Sequence, residues 1–319
     1  MTQSICGIDV SSLSLEAAIG AAGLSCSFPN TPEGIASLAA FCREHQVTLV
    51  AMEATGGYER QAWALLSEQG IDVAILNPRA VRQFASGMGR LEKTDRIDAA
   101  MIAWFAQVKQ VQPTVLATPT HRQLRALSTR LRQVTALRTA QLNQQRLVDD
   151  ARVRSTFDEL LALLRRQIEE LANQIAALID ADPLWRELDR AFRSIRGIAD
   201  RTVARIMAEM PEIGTLPHKT VSKLAGLAPL ANDSGRHHGK RAVRGGRSSV
   251  REILFLVAGV AARYEPDFIA FRQRLAAQGK PPRVIRIALA HKLLIRLNAK
   301  ARDVRRATLQ ANSPKPSLA

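Results

Sequence analysis

Five acidic or hydroxyl side chains stand where phosphoryl-transfer chemistry would need them. Asp9 ends the apolar run Ile5-Cys6-Gly7-Ile8-Asp9-Val10, Glu53 ends a second run, Thr48–Ala54, and Asp95 and Asp98 stand three apart in Lys93-Thr94-Asp95-Arg96-Ile97-Asp98-Ala99. On a helix the last pair shares a face. Four converging carboxylates repel and raise each other's pKa unless cations neutralise them. Hard oxygen donors suit Mg2+, one or two ions per site, which can activate a nucleophile and stabilise a leaving oxygen. The fifth group is Ser234, within Asn232-Asp233-Ser234-Gly235-Arg236. A serine in a cationic loop can attack a phosphodiester while arginines stabilise the transition state. Spacing alone does not separate that reading from an ordinary Ser-Gly turn. Ser248 and Ser249 compete, but they read better as N-caps of the helix that follows.

The elements that must hold these groups fall into three regions and a tail. Residues 1–115 alternate strand and helix signals, with strands at Ile5–Val10, Leu15–Ala21, Leu24–Phe28, Thr48–Ala54 and Asp72–Asn77. A helix begins at Thr31-Pro32-Glu33, with Thr31 as cap and Pro32 in the first turn. Three consecutive strands followed by strand–helix alternation imply a mixed sheet with helices on its faces, the order of the ribonuclease H-like α/β fold. Residues 116–184 read as two long helices, a coiled-coil or antiparallel hairpin for dimerisation, because 118–182 hold no glycine and leucines recur every three or four residues. Residues 185–305 read as a mostly α-helical domain with a helix–hairpin–helix-like turn at Ile195-Arg196-Gly197-Ile198, its amides facing outward to a phosphate backbone. Residues 306–319 read as a flexible tail.

Charge separates these regions. The chain of 319 residues carries +16; residues 1–110 hold 8 Lys+Arg against 11 Asp+Glu, and residues 185–319 hold 27 against 10. A basic region of that size calls for a polyanion, and nucleic acid is the first choice. The candidate contacts are Lys93 and Arg96 beside the acid pair, Arg196 and Gly197 at the turn, and Arg236, Lys240, Arg241, Arg244 and Arg247 around Ser234. No apolar run is long enough to span a bilayer and no signal peptide is evident, so the membrane is excluded. Cys6, Cys26 and Cys42 lack metal-ligand spacing and read as reduced core cysteines of a cytoplasmic protein.

The chain resembles the DEDD transposases of the insertion-sequence one-ten family, relatives of the Piv-type DNA invertases. The match lies in Gly7-Ile8-Asp9-Val10, Glu53-Ala54-Thr55-Gly56, Asn77-Pro78, Lys93-Thr94-Asp95-Arg96-Ile97-Asp98-Ala99, Ile195-Arg196-Gly197-Ile198, Ala225-Gly226-Leu227-Ala228-Pro229 and Ser234-Gly235. The resemblance implies a RuvC-like catalytic domain with Asp9, Glu53, Asp95 and Asp98 as its magnesium-binding tetrad. It also implies a C-terminal transposase domain whose serine, here Ser234, forms a phosphoserine with DNA. The two sites would come from different subunits of a homo-oligomer, a dimer or dimer of dimers. Partners would be donor and target DNA and a structured bridge RNA from the same element, met at the bacterial nucleoid. The segment after the serine departs from the family: it reads Val243-Arg244-Gly245-Gly246-Arg247, with Arg where Lys is usual. The runner-up function is a RuvC-like nuclease that uses metal-activated water. An actin-like ATPase, suggested by Gly7–Ser12, lacks a second glycine-rich phosphate loop.

Overall fold

The computed structural model describes residues 4–20, 23–89, 95–115, 117–231, 233–234, 237–239 and 241–312, without the side chains of 95–97, 237–238 and 312. The chain forms two compact units, Met1–Ala117 and Thr118–Ala319.

The first unit is built on a five-stranded sheet among the described residues, in the order β3-β2-β1-β4-β5. Its strands are β1 (Ile5–Val10), β2 (Ser14–Ile19), β3 (Ser25–Pro29), β4 (Leu49–Glu53) and β5 (Val73–Leu76). The first three pair antiparallel, and β1, β4 and β5 pair parallel. This is the ribonuclease H-like arrangement expected from the sequence. Alternation along each strand divides the core between the two faces. Cys6, Ile8, Val10, Val50 and Met52 pack with α1 (Pro32–Glu44) and α2 (Glu59–Glu68). Ile5, Leu49, Ala51, Ala74 and Leu76 pack with α3 (Pro78–Gly87) and α4 (Asp95–Lys109). Thr31 caps α1 through a bond from Gly34 N, with Pro32 at its start. Asn77 caps α3, accepting from Arg79 N at 2.9 Å. All three cysteines are free, but Cys26 is exposed rather than part of the core, because β3 is an edge strand.

The second unit starts with a helical hairpin, α5 (Pro119–Gln145) and α6 (Ala151–Ala181). It continues through α7 (Pro183–Arg193), α8 (Asp200–Glu209), α9 (His218–Leu224), α10 (Ser248–Tyr264), α11 (Pro266–Ala277) and α12 (Pro282–Asn312). Leu124, Leu131 and Val134 of α5 and Leu164, Ile168, Ile175 and Ile179 of α6 share one hydrophobic core with α7–α12. The hairpin therefore grows out of the core of the second unit and does not stand apart from it. Residues 306–312, expected as part of a flexible tail, instead continue α12, which is held by Ala301 in the core and by Arg305 donating to Ile213 O and Pro211 O; residues 313–319 of that expected tail lie outside the described residues. The buried Asn298 of α12 accepts from Gly214 N at 2.8 Å and donates to Leu216 O at 3.1 Å, joining the α8–α9 connection to that helix. Between α9 and α10, the segment expected as a cationic loop forms two short antiparallel ladders, one of β6 (Pro229–Leu230) with β9 (Ala242–Val243) and one of β7 (Asp233–Ser234) with β8 (His237–His238). Among the described residues no helix is long and apolar enough to cross a membrane.

Candidate active site and nucleic-acid interface

Strand register brings the first acids together. Ile8 pairs with Met52 across the parallel β1–β4 ladder, so Asp9 and Glu53 sit abreast one residue further on. Alternation places both on the face covered by α4. The antiparallel ladder sets Glu16 of β2 directly opposite Asp9, on the same face. Sequence reading missed Glu16, which looked like one acid inside an apolar strand. Its Oε1 accepts from Ser27 Oγ at 2.6 Å. Three half-buried carboxylates, Glu16, Asp9 and Glu53, thus form a row across three neighbouring strands.

Gly7 decides how α4 lies on that row. A Cβ at Gly7 would overlap the Ala99 carbonyl and the Ala103 amide, so the helix backbone rests directly on β1. Further along, Ile102 and Ala106 join Ile5 and Leu49 in the core. The helix therefore runs antiparallel to β1, with its first turn toward Asp9. Two strand residues span about 6.6 Å, which about four helical residues match. Stepping from Gly7 to Asp9 hence leads from Ala99–Ala103 back to the turn that holds Asp95 and Asp98. Asp98 is half-buried there. Asp95 is the first residue of α4; its side chain and that of Arg96 are not described, and Lys93 lies outside the described residues.

Among the described residues no three His, Cys, Asp or Glu groups meet closely enough to hold an ion by themselves. The donor set fits a hard divalent cation nonetheless: like charges on adjacent strands are costly, and a cation relieves that cost.

Glu59 is a second residue the sequence reading passed over. It is 7% exposed, at the start of α2. Its Oε2 accepts from Thr55 N and Thr55 Oγ1 at 3.1 Å and from Gly57 N at 2.8 Å. Burial pushes this carboxyl up, but the donated hydrogen bonds outweigh it and hold the pKa below its ordinary value. Gly56 and Gly57 take φ of 86° and 135°, which lets the loop after Glu53 wrap that carboxylate. The signal was a double glycine followed by an acid at a helix start.

The serine sits on a hairpin in the other unit. Pro229↔Val243 and Leu230↔Ala242 form its base ladder, and Asp233↔His238 and Ser234↔His237 form the far one. Ser234 is exposed; Asn232, Gly235, Arg236 and Lys240 lie outside the described residues. The base is locked by backbone. A Cβ at Gly226 would overlap the Gly245 carbonyl, and one at Gly246 would overlap the Gly226 amide. Arg251 donates to Gly245 O at 2.6 Å.

Arg241 and Arg244 are exposed; Arg241 is 3.8 Å from Asp233, the neighbour of Ser234, while Arg244 follows the base ladder. Arg247 corrects the sequence reading. Its guanidinium donates to both Glu212 carboxylate oxygens, at 2.6 and 2.8 Å, and to Glu209 O at 2.7 Å. Burial raises the Glu212 carboxyl, but Arg247 more than offsets it and the pKa falls below the ordinary value. Arg247 is thus an anchor of the hairpin base, its donors turned inward. Ser248 and Ser249 are not caps either, since α10 begins at Ser248 behind Arg247 with no side-chain capping bond.

The turn at Arg196 and Gly197 is exposed, as expected, but its amides do not all face outward. Arg196 N donates to Glu265 Oε1 at 2.8 Å. Glu265 is 8% exposed and also accepts from Arg296. Gly197 has φ of 98° and leaves no more than 3.0 Å between an added Cβ and Val260 Cγ1. The turn is therefore pinned to α10 and α11, and the side chain of Arg196, rather than its amide, is what remains for a phosphate.

Two transposase family models match the chain, one of the DEDD IS110 type over residues 6–148 and one described as Transposase IS116/IS110/IS902 family over residues 189–273. The pilin gene-inverting protein of Moraxella bovis is 26% identical over 312 residues, covering 92% of this chain and 94% of its own length. The pilin gene-inverting protein of Moraxella lacunata matches to the same extent. An uncharacterized 43.6 kDa protein of insertion element IS110 from Streptomyces coelicolor is 30% identical over 145 residues, 45% of this chain and 35% of that one. Among solved structures, Thermus thermophilus RuvC aligns at 16% identity with a TM-score of 0.26, over 35% of this chain and all of its own.

Proposed function

This chain belongs to the IS110 family of DEDD transposases and is a DNA recombinase, and from that premise we propose that it cuts and rejoins the strands of its own insertion sequence with two chemically distinct sites. The first is the carboxylate edge. Asp9, Glu53, Asp95 and Asp98 would hold Mg2+, one or two ions per site, which supplies charge neutralisation at the scissile phosphate. Glu16 adds to the negative field of that edge, and Glu59 keeps the Glu53 loop in place.

The second site is Ser234. Its hydroxyl oxygen bonds to phosphorus and loses its proton, while the bond from phosphorus to the departing sugar oxygen breaks and that oxygen is protonated. Arg241, 3.8 Å from the neighbouring Asp233, would balance the charge gathering on the phosphoryl oxygens, and Arg244 at the hairpin base would contact the strand. The product is a phosphoserine that the hydroxyl end of a second strand resolves by the reverse exchange. The observation that carries this reading is the placing of Ser234: an exposed hydroxyl on a hairpin whose base is locked by glycine contacts and by Arg247.

Donor and target DNA are the substrates, and a structured bridge RNA from the same element is the guide. The two sites come from different subunits of a homo-oligomer. Support for the oligomer is the distal part of the α5–α6 hairpin, where Leu137, Leu147, Val153, Leu160 and Leu163 stay exposed.

A trapping experiment tests this. The protein is incubated with magnesium, labelled donor DNA and RNA transcribed from the flanks of its gene, then denatured. A protein–DNA adduct that is lost in both Ser234→Ala and Asp9→Ala is expected. Cleaved DNA without an adduct, unaffected by Ser234→Ala, would instead make water the nucleophile.

A further inference from the structure

The Ser234 hairpin rises beside a cavity of about 950 Å³ that lies within the second unit. Its rim is cationic, with Arg205, Arg241, Arg251 and Arg283 against one carboxylate, Glu252. The Nε of Arg205 is buried and has no hydrogen-bond partner, while its Nη2 reaches Glu252 at 3.3 Å. The outer part of this guanidinium is what faces the cavity, since the side chain is 16% exposed. Arg251 spends its charge on carbonyls, which leaves it un-neutralised. Beside the arginines the lining is apolar: Phe255, Leu256, Val284 and Ile287. Leu256 and Val284 are 56% and 51% exposed. Phe255 carries the Arg286 guanidinium 4.8 Å from its ring centroid, and the rest of the ring lines the cavity.

That combination selects among occupants. A free phosphate would satisfy the arginines and leave the leucine and valine wet. An apolar peptide would cover the floor and desolvate four guanidinium groups. A nucleotide has both parts, a flat apolar base and an anionic phosphate that guanidinium binds bidentately. The volume is in the range of small-molecule sites.

Position says which nucleotide. Pro229, Ala242 and Val243 of the hairpin's base ladder form one wall. Pro229 lies five residue steps from Ser234, a reach of at most about 17 Å at about 3.3 Å each. Successive nucleotides of a duplex strand rise about 3.4 Å. A strand offering its phosphate to Ser234 therefore has a neighbour within a few nucleotides of the cavity.

We propose that this cavity receives an unpaired nucleotide of the reacting strand, within about five nucleotides of the reacting phosphate, its base against Phe255, Val284 and Ile287 and its phosphate on the arginines. The proposal rests on Ser234 being the attacking group only for the choice of strand. Taking a base out of the stack costs a few kcal/mol; base–aromatic contact and the arginines would return it, and the strand would be held in one register on the nucleophile.

The test is equilibrium binding by the full chain, read by anisotropy and by the fluorescence of a single 2-aminopurine in a short single-stranded DNA. The same sequence is also presented as blunt duplex DNA and as single-stranded RNA. Val284→Glu and Arg283→Ala, both at exposed positions of α12, are expected to weaken single-strand binding about ten-fold or more. Duplex binding should stay within two-fold, on the order of the error of such cycles. Equal losses for DNA and RNA would support recognition of base and phosphate alone, a loss confined to DNA would support a site that also reads the sugar, and a loss confined to RNA would overturn the proposal. Unchanged single-strand binding in both variants, or an equal fall for duplex, would overturn the proposal. Ser234→Ala leaves this binding unchanged, so a missing adduct would remove the nucleophile and keep the cavity.

Discussion

At the residue scale, two positions act through others. Gly7 carries no chemistry, yet no other residue lets α4 rest on β1 with its first turn toward Asp9. Glu59 holds the loop that follows Glu53 with three donated hydrogen bonds. Replacing its charge by Glu59→Gln should cost about 1–3 kcal/mol. The pH dependence follows from the sign of the shift. A carboxyl held below its ordinary 4.5 in the folded state stabilises fully above that value, and the contribution is lost as pH falls through the folded pKa. Denaturant unfolding between neutral pH and pH about 3 should show wild type losing this increment, while Glu59→Gln gives a flatter acid limb. A variant limb as steep as wild type would remove Glu59 from that role.

At the element scale, the Ser234 hairpin is held from below. Nothing about Ser-Gly in the sequence set it apart from an ordinary turn; the contacts of Gly226 with Gly245 and Gly246 show that the base of this hairpin is fixed. Gly246 has φ of 62°, so Gly246→Ala is strained as well as crowded. We expect it to lower the yield of the Ser234 adduct at least ten-fold, about 1.4 kcal/mol or more of lost positioning, with circular dichroism and nucleic-acid affinity nearly unchanged. A variant that reacts normally would mean the base of the hairpin does not position the serine.

At the scale of the whole molecule, charge and chemistry are separated. The N-terminal unit supplies acids and the C-terminal part supplies the cationic surface. Such a division suits an enzyme that grips polyanions with one part and holds cations with another. The long hairpin α5–α6 leaves leucines uncovered toward its turn, a surface that a second copy would bury. Light scattering should give at least a dimer for the full chain, shifted toward monomer by Leu160→Glu with Leu163→Glu. A monomeric wild type, with and without nucleic acid, would contradict the oligomer and with it the shared site.

Periodicity and punctuation made much of this legible in advance. Apolar runs marked the five strands, Thr31-Pro32 marked a helix start, and the absence of glycine from 118–182 with its recurring leucines marked two long helices. These are local properties, set by propensity and capping within a few residues. The meeting of Asp9 with Glu53 was also readable, because both close strands of one parallel pair. What local pattern does not carry is partnership across the chain. Glu16 stands opposite Asp9 only through register, Arg247 turns inward only because Glu212 lies 35 residues away in sequence, and Arg196 loses an amide to Glu265. The cavity beneath the hairpin joins α8, α10 and α12. Each of these depends on which distant groups packing brings within hydrogen-bond reach, so a basic residue that the sequence offers to nucleic acid becomes an anchor or a contact only when the tertiary structure has chosen its neighbours.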